Sequence, residues 1–260
     1  MSYEDIKVER QDTVATVTID RPQRRNALSQ GTIEELTAAF RELGSDDQLR
    51  AIVLTGEGDK AFSSGGDLGD QQSGGGPLGM HKGRGGFADM LVAMNRSATP
   101  IIARVNGKAL GGGFGLALHC DLAVAAQDAS FGTPEIKVGL FPMMITAVIQ
   151  RNLQRKHAME LMLTGERIDA QRALELGVVN RVAEEGKLDE AVDELVEKVA
   201  SYSPAILGLG RQAFYDTQDM GFEEALRALQ SELTINTLAE DAAEGIMAFM
   251  AKRKPEWKGK

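Results

Sequence analysis

Apolar residues recur along this chain in two patterns that predict different secondary structure. Short runs rich in β-branched residues are typical of buried strands, whereas apolar residues that return every three or four positions are typical of helices. Strand-like runs occur at Val14–Ile19, 51–55, 101–105 and 122–126. Helical spacing follows Ser29, precedes Pro100, spans about 113–120 and resumes near 145. Strands that alternate with helices in this way indicate an α/β core.

From about residue 187 the strand-like runs stop and only helical patterns follow. Apolar residues form two amphipathic stripes there, at Leu188, Val192, Leu195 and Val199 and again at Leu226, Leu229 and Leu233. We therefore predict an α/β core over residues 1–190 and a helical region over residues 191–260. A helical appendage of this kind commonly packs against the core or against another subunit.

Composition and charge narrow the class of protein. A chain of 260 residues with 43% hydrophobic content suits a globular fold with a large core. The formal net charge of −9 argues against a nucleic-acid-binding surface over most of the molecule. The only cysteine, Cys120, cannot form an internal disulfide and fits a reducing compartment. Because no secretory pattern and no apolar run of about twenty residues is found, we expect a cytoplasmic protein without a membrane span.

Three consecutive glycines, Gly111 to Gly113, lie between a predicted strand and a predicted helix. Glycine permits unusual backbone angles and close approach of a ligand, and the start of a helix exposes N–H groups at the positive end of its dipole. The turn could therefore stabilise an anion or a developing oxyanion, or it could be a simple packing turn. A second glycine-rich stretch, residues 69–86, predicts a mobile loop.

Several common kinds of site find no support in the sequence. His81, His119 and His157 are far apart and lack the spacing of metal ligands, so we predict no metal site. A phosphate-binding loop and a dinucleotide fingerprint are also missing. Ser63 and Ser64 stand in a glycine turn, but this turn lacks the elbow sequence of nucleophilic serines.

The segment Phe-Gly-Thr-Pro-Glu at residues 131–135 has two interpretations. Thr133, Pro134 and Glu135 suit the first positions of a helix, where threonine caps, proline is tolerated and an acidic side chain complements the dipole. Glu135 could instead act as a general acid or base. The residues by themselves favour the structural interpretation.

Taken together, four motifs resemble the enoyl-CoA hydratase/isomerase (crotonase) superfamily, and the resemblance covers nearly the whole chain. In order, they are RPQRRNAL at 21–28, AFSSGGDL at 61–68, NGKALGGG at 106–113, and FGTPE at 131–135 followed by GLFP at 139–142. The ending AFMAKRKPEW at 248–257 is similar to the family's C-terminal segment. The resemblance implies a spiral of ββα turns with a C-terminal helical trimerisation region, assembled as a homotrimer or homohexamer. It implies no cofactor, because coenzyme A enters as part of the substrate.

The resemblance also implies a site. The backbone N–H groups of Gly66 and Gly112 would form an oxyanion hole for a thioester oxygen, and Glu135 would be catalytic. Acyl-CoA would contact Arg25, Ala27, Ser64, Gly65, Asp67, Leu68, Phe249 and Lys252. The last two match positions that touch the nucleotide end, often from a neighbouring subunit. The five Lys or Arg residues in 252–260, which alone indicate a solvated tail, would then complement the CoA phosphates.

The sequence departs from the family pattern at Gly115. Family hydratases hold a water molecule between two glutamates; Glu135 matches one of them, and Gly115 stands where the other is expected. A single carboxylate can still remove a proton from one carbon and return it to another, which is the arrangement of the family's Δ3,Δ2-enoyl-CoA isomerases. An atypical hydratase, with a missing acid supplied by Asp70 or His81, is the close alternative.

Two further alternatives remain open at this stage. The bulky stretch that contains Phe141, Met143 and Met144 could shape an acyl pocket or could be ordinary core packing. A chain that has lost one glutamate could also be a non-catalytic acyl-CoA-binding homologue.

Overall fold

The computed structural model describes residues 3–67 and 76–260. The strands are β1 (Ile6–Gln11), β2 (Val14–Ile19), β3 (Ala51–Gly56), β4 (Ala61–Ser63), β5 (Ile101–Val105), β6 (Lys108–Leu110), β7 (Leu122–Ala126), β8 (Ser130–Gly132), β9 (Arg167–Asp169) and β10 (Arg181–Ala183). The helices are α1 (Gln30–Leu43), α2 (Gly76–Asn95), α3 (Gly112–His119), α4 (Met143–Asn152), α5 (Arg155–Thr164), α6 (Ala170–Glu175), α7 (Leu188–Ala200), α8 (Pro204–Thr217), α9 (Phe222–Leu238) and α10 (Glu240–Met250). Short 3-10 helices occupy Pro22–Arg24 and Pro134–Val138.

A six-stranded sheet forms the centre of the core, with the order β1-β2-β3-β5-β7-β10. The four apolar runs predicted as strands are β2, β3, β5 and β7, and they are parallel neighbours. β1 is an antiparallel edge strand joined to β2 through a turn in which Asp12 has a φ of 51°. Its sequence, IKVERQ, did not predict a strand, because only Ile6 is buried and the other side chains face solvent or are half-buried.

A second, four-stranded sheet has the order β4-β6-β8-β9, and its first three strands are parallel. Each of these short strands follows a long one and precedes a helix, so β3-β4-α2, β5-β6-α3 and β7-β8-α4 are successive ββα turns. This is the spiral that the resemblance implies. Parallel strands end at the same edge of a sheet, so the turns after β4, β6 and β8 come together there.

Helices cover both faces of the large sheet. One face belongs to a core to which α1 to α6 contribute and which includes Phe40, Phe62, Phe114 and Phe131. The other face packs against α7 through Val192, Leu195 and Val196. Because α7 spans residues 188–200, the predicted division at 190/191 passes through a helix that is packed on the sheet. Within residues 3–67 and 76–260, no helix is both long and apolar enough to cross a membrane.

The predicted mobile loop at 69–86 is partly wrong, because residues 76–86 form the first half of α2; residues 69–75 lie outside the described residues. Glycines in this half let α2 approach α1. A Cβ placed on Gly83 would lie 3.5 Å from Gln30 Oε1, and a Cβ on Gly86 would lie 3.6 Å from Ile33 Cγ2. Close packing thus offsets the low helix propensity of glycine.

One buried ion pair fastens α8 to the core. Arg211 Nε donates to both carboxylate oxygens of Asp121, at 3.0 and 2.8 Å. The same guanidinium donates to the carbonyl oxygens of Met94, Asn95 and Ser97, which caps the C-terminal end of α2. Tyr215 also donates to Asp121, at 2.8 Å. The side chain of Arg211 is only 7% exposed, and the carboxylate of Asp121 is the counter-charge of its guanidinium.

We expect Asp121→Asn to lower the free energy of unfolding by about 3 kcal/mol, because it leaves the buried guanidinium without its counter-charge. Asp219→Asn is the matched control, since Asp219 pairs with Arg151 at the surface with 74% of its side chain exposed. The control should cost less than about 1 kcal/mol. Urea unfolding measures both, and equal effects would contradict the assigned role of Asp121.

Candidate active site

The turn after β4 is joined to the turn at residues 21–28 by backbone hydrogen bonds. Leu28 N donates to Gly65 O at 2.8 Å, Asp67 N donates to Leu28 O at 3.0 Å, and Ser64 N donates to Arg25 O at 3.0 Å. These bonds hold the two motifs side by side, although they are about forty residues apart in sequence.

Residues 21–28 hold an unusual backbone conformation. Arg25 and Asn26 both have positive φ, at 55° and 54°. The buried Asn26 side chain stabilises this turn, because its Nδ2 donates to Glu57 O at 3.0 Å and to Ala61 O at 2.7 Å. The turn therefore presents Arg25 at the surface while Ala27 is buried.

The two glycine turns touch through their backbones. A Cβ placed on Gly65 would lie 2.7 Å from the carbonyl oxygen of Leu110 and 3.0 Å from the nitrogen of Gly112. A Cβ placed on Gly112 would lie 3.6 Å from the nitrogen of Gly66. Because Gly65 also has a φ of 91°, only glycine fits there without strain. In the part of the chain that the structure describes, the N–H groups of Gly66 and Gly112 donate to no backbone carbonyl.

Glu135 lies in the 3-10 helix that follows β8, and its carboxylate meets the glycine turn after β6. A Cβ on Gly111 would lie 2.7 Å from Glu135 Oε1, and Gly111 has a φ of 54°. The predicted helix positions of Thr133, Pro134 and Glu135 are confirmed, but the Thr133 hydroxyl donates to Leu161 O at 2.9 Å and forms no capping hydrogen bond. The segment thus anchors itself on α5 and turns Glu135 toward Gly111.

Burial raises the pKa of Glu135 above its ordinary value, and a hydrogen bond from its own backbone N–H offsets part of this effect. Glu135 Oε2 is buried and has no hydrogen-bond partner among the described residues. An unpartnered buried carboxylate oxygen in a cavity is a candidate for proton transfer.

A cavity of about 870 Å³ joins these parts. Its wall includes Gly65, Gly66, Gly112 and Glu135, together with two apolar segments. The first lies on α2 around Phe87 and the second comprises residues 138–145. The predicted residues Phe141, Met143 and Met144 belong to the second segment. The volume and the mostly apolar wall fit a small-molecule site.

Gly115 packs directly against α4. A Cβ placed on Gly115 would lie 2.2 Å from Ile145 Cγ2 and 2.7 Å from Ile145 Cβ. Ile145 is 3% exposed and lines the cavity. Thus an isoleucine side chain fills the space beside the position where the resemblance expects a second glutamate.

Gly115 and Ile145 should be coupled in stability. We expect Gly115→Ala to destabilise the fold, because its new methyl group overlaps Ile145, and Ile145→Ala to cost about 2–5 kcal/mol through the cavity it creates. In the double variant the new methyl group has room, so the combined loss should be smaller than the sum by at least about 1 kcal/mol. Urea unfolding of the four proteins tests this, and simple additivity would refute the contact.

The structure brings most predicted site residues together but leaves others apart. Gly65, Gly66, Gly112 and Glu135 line one cavity, as do Ser64 and Asp67. Asp67 forms an ion pair with Arg21 at 3.2 Å. Leu68 and Asp70 lie outside the described residues, and His81 is an exposed residue of α2.

The C-terminal segment is folded back rather than extended. Asp241 Oδ1 accepts from Lys258 N at 2.7 Å, and Asp241 Oδ2 accepts from Gly259 N at 2.9 Å. Phe249 is 85% exposed, and neither it nor Lys252 is among the described residues that line the cavity of the same chain.

Several residues of the cavity wall were not predicted from the sequence, among them Phe87, Arg84 and Ile145. Phe87 belongs to the helical pattern that precedes Pro100, and its Cε2 would lie 3.5 Å from a Cβ on Gly112. The signal for Ile145 was the glycine at 115, which makes room for a side chain from another helix.

Comparisons with known proteins agree with this fold. Residues 9–260 match the model of the enoyl-CoA hydratase/isomerase family, and the chain belongs to that family. A carnitinyl-CoA dehydratase of Escherichia coli is 37% identical, with 99% of each chain covered. A probable enoyl-CoA hydratase of Rhizobium meliloti is also 37% identical over the same share of both chains. The crystal structure of an enoyl-CoA hydratase of Mycobacterium smegmatis superimposes with a TM-score of 0.94, at 36% identity, covering 98% of this chain and 99% of that one.

These findings confirm the predicted family and the crotonase fold, and they place the protein among enzymes of the hydratase/isomerase type that act on acyl-CoA. The roles of individual residues, the type of reaction and the assembly are developed below as proposals.

Proposed function

We propose that the enzyme works through a thioester enolate, with the amides of Gly66 and Gly112 holding the thioester oxygen and Glu135 as its single acid/base. Removal of a proton from the α-carbon moves electron density onto this oxygen, where two N–H donors stabilise the charge. The N-terminal end of α3 adds its dipole at the same place. The observation that carries this proposal is that both amides line one cavity with Glu135, whose Oε2 is buried and has no hydrogen-bond partner among the described residues.

Glu135 would carry the proton between two carbons of the substrate. In a 3-enoyl-CoA it would take a proton from the α-carbon and return it to the γ-carbon, which moves the double bond into conjugation without loss of atoms. The contact between Ile145 and Gly115 favours this one-carboxylate isomerisation, because it leaves no room for a glutamate side chain at position 115.

Hydration or dehydration is the second candidate, and the names of the relatives favour it. In dehydration an enolate forms when the α-proton of a 3-hydroxyacyl-CoA is removed, and it collapses to the 2-enoyl-CoA as the protonated β-hydroxyl group leaves as water. In hydration the enolate forms when water adds to the β-carbon of a 2-enoyl-CoA, and it is then protonated at the α-carbon. Glu135 alone would then have to serve both proton transfers, and the water would be held by one carboxylate instead of two.

Incubation with a 3-enoyl-CoA and, separately, with a 2-enoyl-CoA separates the two candidates. An isomerase generates absorbance of the conjugated thioester from the first substrate, and a hydratase removes it from the second. Binding of both thioesters without turnover at any chain length would instead indicate a non-catalytic acyl-CoA-binding homologue and would refute the proposal.

We also propose assembly as a homotrimer or homohexamer through the C-terminal helices. Large apolar side chains on α9 and α10 are exposed in the single chain, at Phe222, Leu226, Leu233, Leu238, Ile246 and Phe249. Burial of such a surface between subunits would bring Phe249 and Lys252 near a neighbouring cavity. Sedimentation equilibrium measures the assembly, and a monomer at micromolar concentration would contradict it.

A further inference from the structure

Among the described residues that line the cavity, four are charged: Asp67, Arg84, Glu135 and Lys137. Asp67 pairs with Arg21, and Glu135 is the proposed acid/base. The methylene carbons of Lys137 lie 3.2–3.4 Å from where a Cβ on Gly165 would be, so its stem rests on the turn that ends α5. Arg84 is exposed and forms no ion pair with any described residue. It is thus a cation of the cavity wall that is available to an anionic ligand.

The position of Arg84 follows from helix geometry. Arg84 precedes Phe87 by three residues, so both lie on the same side of α2 and about 4.5 Å apart along its axis. Phe87 touches Gly112, whose amide is a proposed donor to the thioester oxygen. Arg84 therefore lies about 4.5 Å along the α2 axis from Phe87, the residue that touches a proposed amide donor.

We propose that Arg84 determines specificity for short acyl groups that end in a carboxylate, such as four- or five-carbon dicarboxylic acids linked to CoA. This inference rests on the proposed placement of the thioester between Gly66 and Gly112. A guanidinium offers several N–H donors in a planar array that matches a carboxylate. An acyl group that ends in a cation meets like charge at the same point.

With Arg84 in this role, this chain would prefer a different acyl group from the one that the name of the carnitinyl-CoA dehydratases indicates. A carnitinyl group carries a quaternary ammonium, which Arg84 and Lys137 would repel. A neutral acyl group of the same length would gain nothing from Arg84. The expected order of affinity is therefore anionic, then neutral, then cationic acyl group.

Calorimetric titration of saturated thioesters tests this order without requiring turnover. The probes are CoA, butyryl-CoA, glutaryl-CoA and 4-(trimethylammonio)butanoyl-CoA, titrated into the full-length wild type, Arg84→Gln and Arg84→Glu. Arg96→Gln is the matched control, because Arg96 is an exposed arginine just beyond α2 and outside the cavity wall. We expect wild type to prefer glutaryl-CoA over butyryl-CoA by about tenfold. Arg84→Gln should bind glutaryl-CoA and butyryl-CoA equally well, whereas Arg96→Gln should keep the preference of wild type. Arg84→Glu should bind 4-(trimethylammonio)butanoyl-CoA more tightly than glutaryl-CoA.

Each other outcome overturns the inference. If Arg84→Gln keeps the preference for glutaryl-CoA over butyryl-CoA, the terminal carboxylate of the glutaryl group does not reach Arg84. An equal loss of affinity for all four ligands, CoA included, means that Arg84 binds a CoA phosphate instead. Turnover of crotonyl-CoA and of a 3-enoyl-CoA is measured separately, so a failure of the proposed chemistry leaves the affinity ratio as an independent result.

Discussion

Glu135→Gln should lower kcat/KM by a factor of about 10²–10⁴ on whichever enoyl-CoA the wild-type enzyme converts. The amide keeps the shape of the side chain but can neither accept nor return a proton. Because the cavity and the two amides are left intact, the affinity for a saturated acyl-CoA should change little. The loss should therefore fall on kcat rather than on KM. Steady-state kinetics with a 2-enoyl-CoA and a 3-enoyl-CoA give both constants.

Glu160→Gln is the control for this substitution, since Glu160 is an exposed residue of α5 outside the cavity wall. It should retain full activity. Unchanged turnover in Glu135→Gln would remove the carboxylate from the mechanism. A loss confined to KM would assign it to substrate binding instead.

Because the pKa of Glu135 is raised, the difference in stability between Glu135→Gln and wild type should depend on pH. In the folded protein this carboxyl group holds its proton more tightly than in the unfolded chain, because burial disfavours the charged form. Stability is therefore lost as the pH rises from the unfolded pKa through the higher folded pKa. Glu135→Gln removes this loss, so the variant should unfold at a higher urea concentration than wild type at neutral pH. The difference should shrink at pH values below the unfolded pKa.

Much of the core could be predicted from sequence because its determinants are local. Three of the four apolar runs, β3, β5 and β7, are buried on both faces along most of their length, and such burial produces continuous apolar runs. In β2 the residues alternate between half-buried and buried. Ser29 could be predicted as a cap because the hydroxyl and the helix start are adjacent in sequence. The structure bears this out, with Ser29 Oγ accepting from Thr32 N at 3.0 Å.

The parts that could not be predicted depend on contacts between distant segments. Thr133 has the sequence of a helix cap, but its hydroxyl donates a hydrogen bond to Leu161 O, twenty-eight residues away. The glycine-rich half of α2 looks like a loop until the helix it packs against is known. The sequence shows that Gly115 stands where a glutamate is expected, but it does not show that Ile145 occupies the space beside it.

Substitution of Gly112 by alanine should lower kcat/KM by about 10²–10³ while the fold stays intact. The backbone of Gly112 is helical and needs no positive φ, and the added methyl group would make ordinary contacts of 3.5 Å with Phe87 and 3.6 Å with Gly66 N. An oxygen that accepts from both amides has to lie within about 3 Å of each nitrogen. The methyl group would stand beside that place and displace the oxygen.

Gly210→Ala is the matched control for Gly112→Ala, because Gly210 lies within α8 and a Cβ there meets no atom within 4 Å. It should keep full activity and gain about 0.5–1 kcal/mol of stability from better helix propensity. Thermal unfolding and steady-state kinetics of both variants separate catalysis from folding. If Gly112→Ala kept wild-type turnover, the thioester oxygen would have to bind elsewhere in the cavity. If it lost activity only together with its cooperative unfolding transition, the glycine would serve packing rather than the oxyanion.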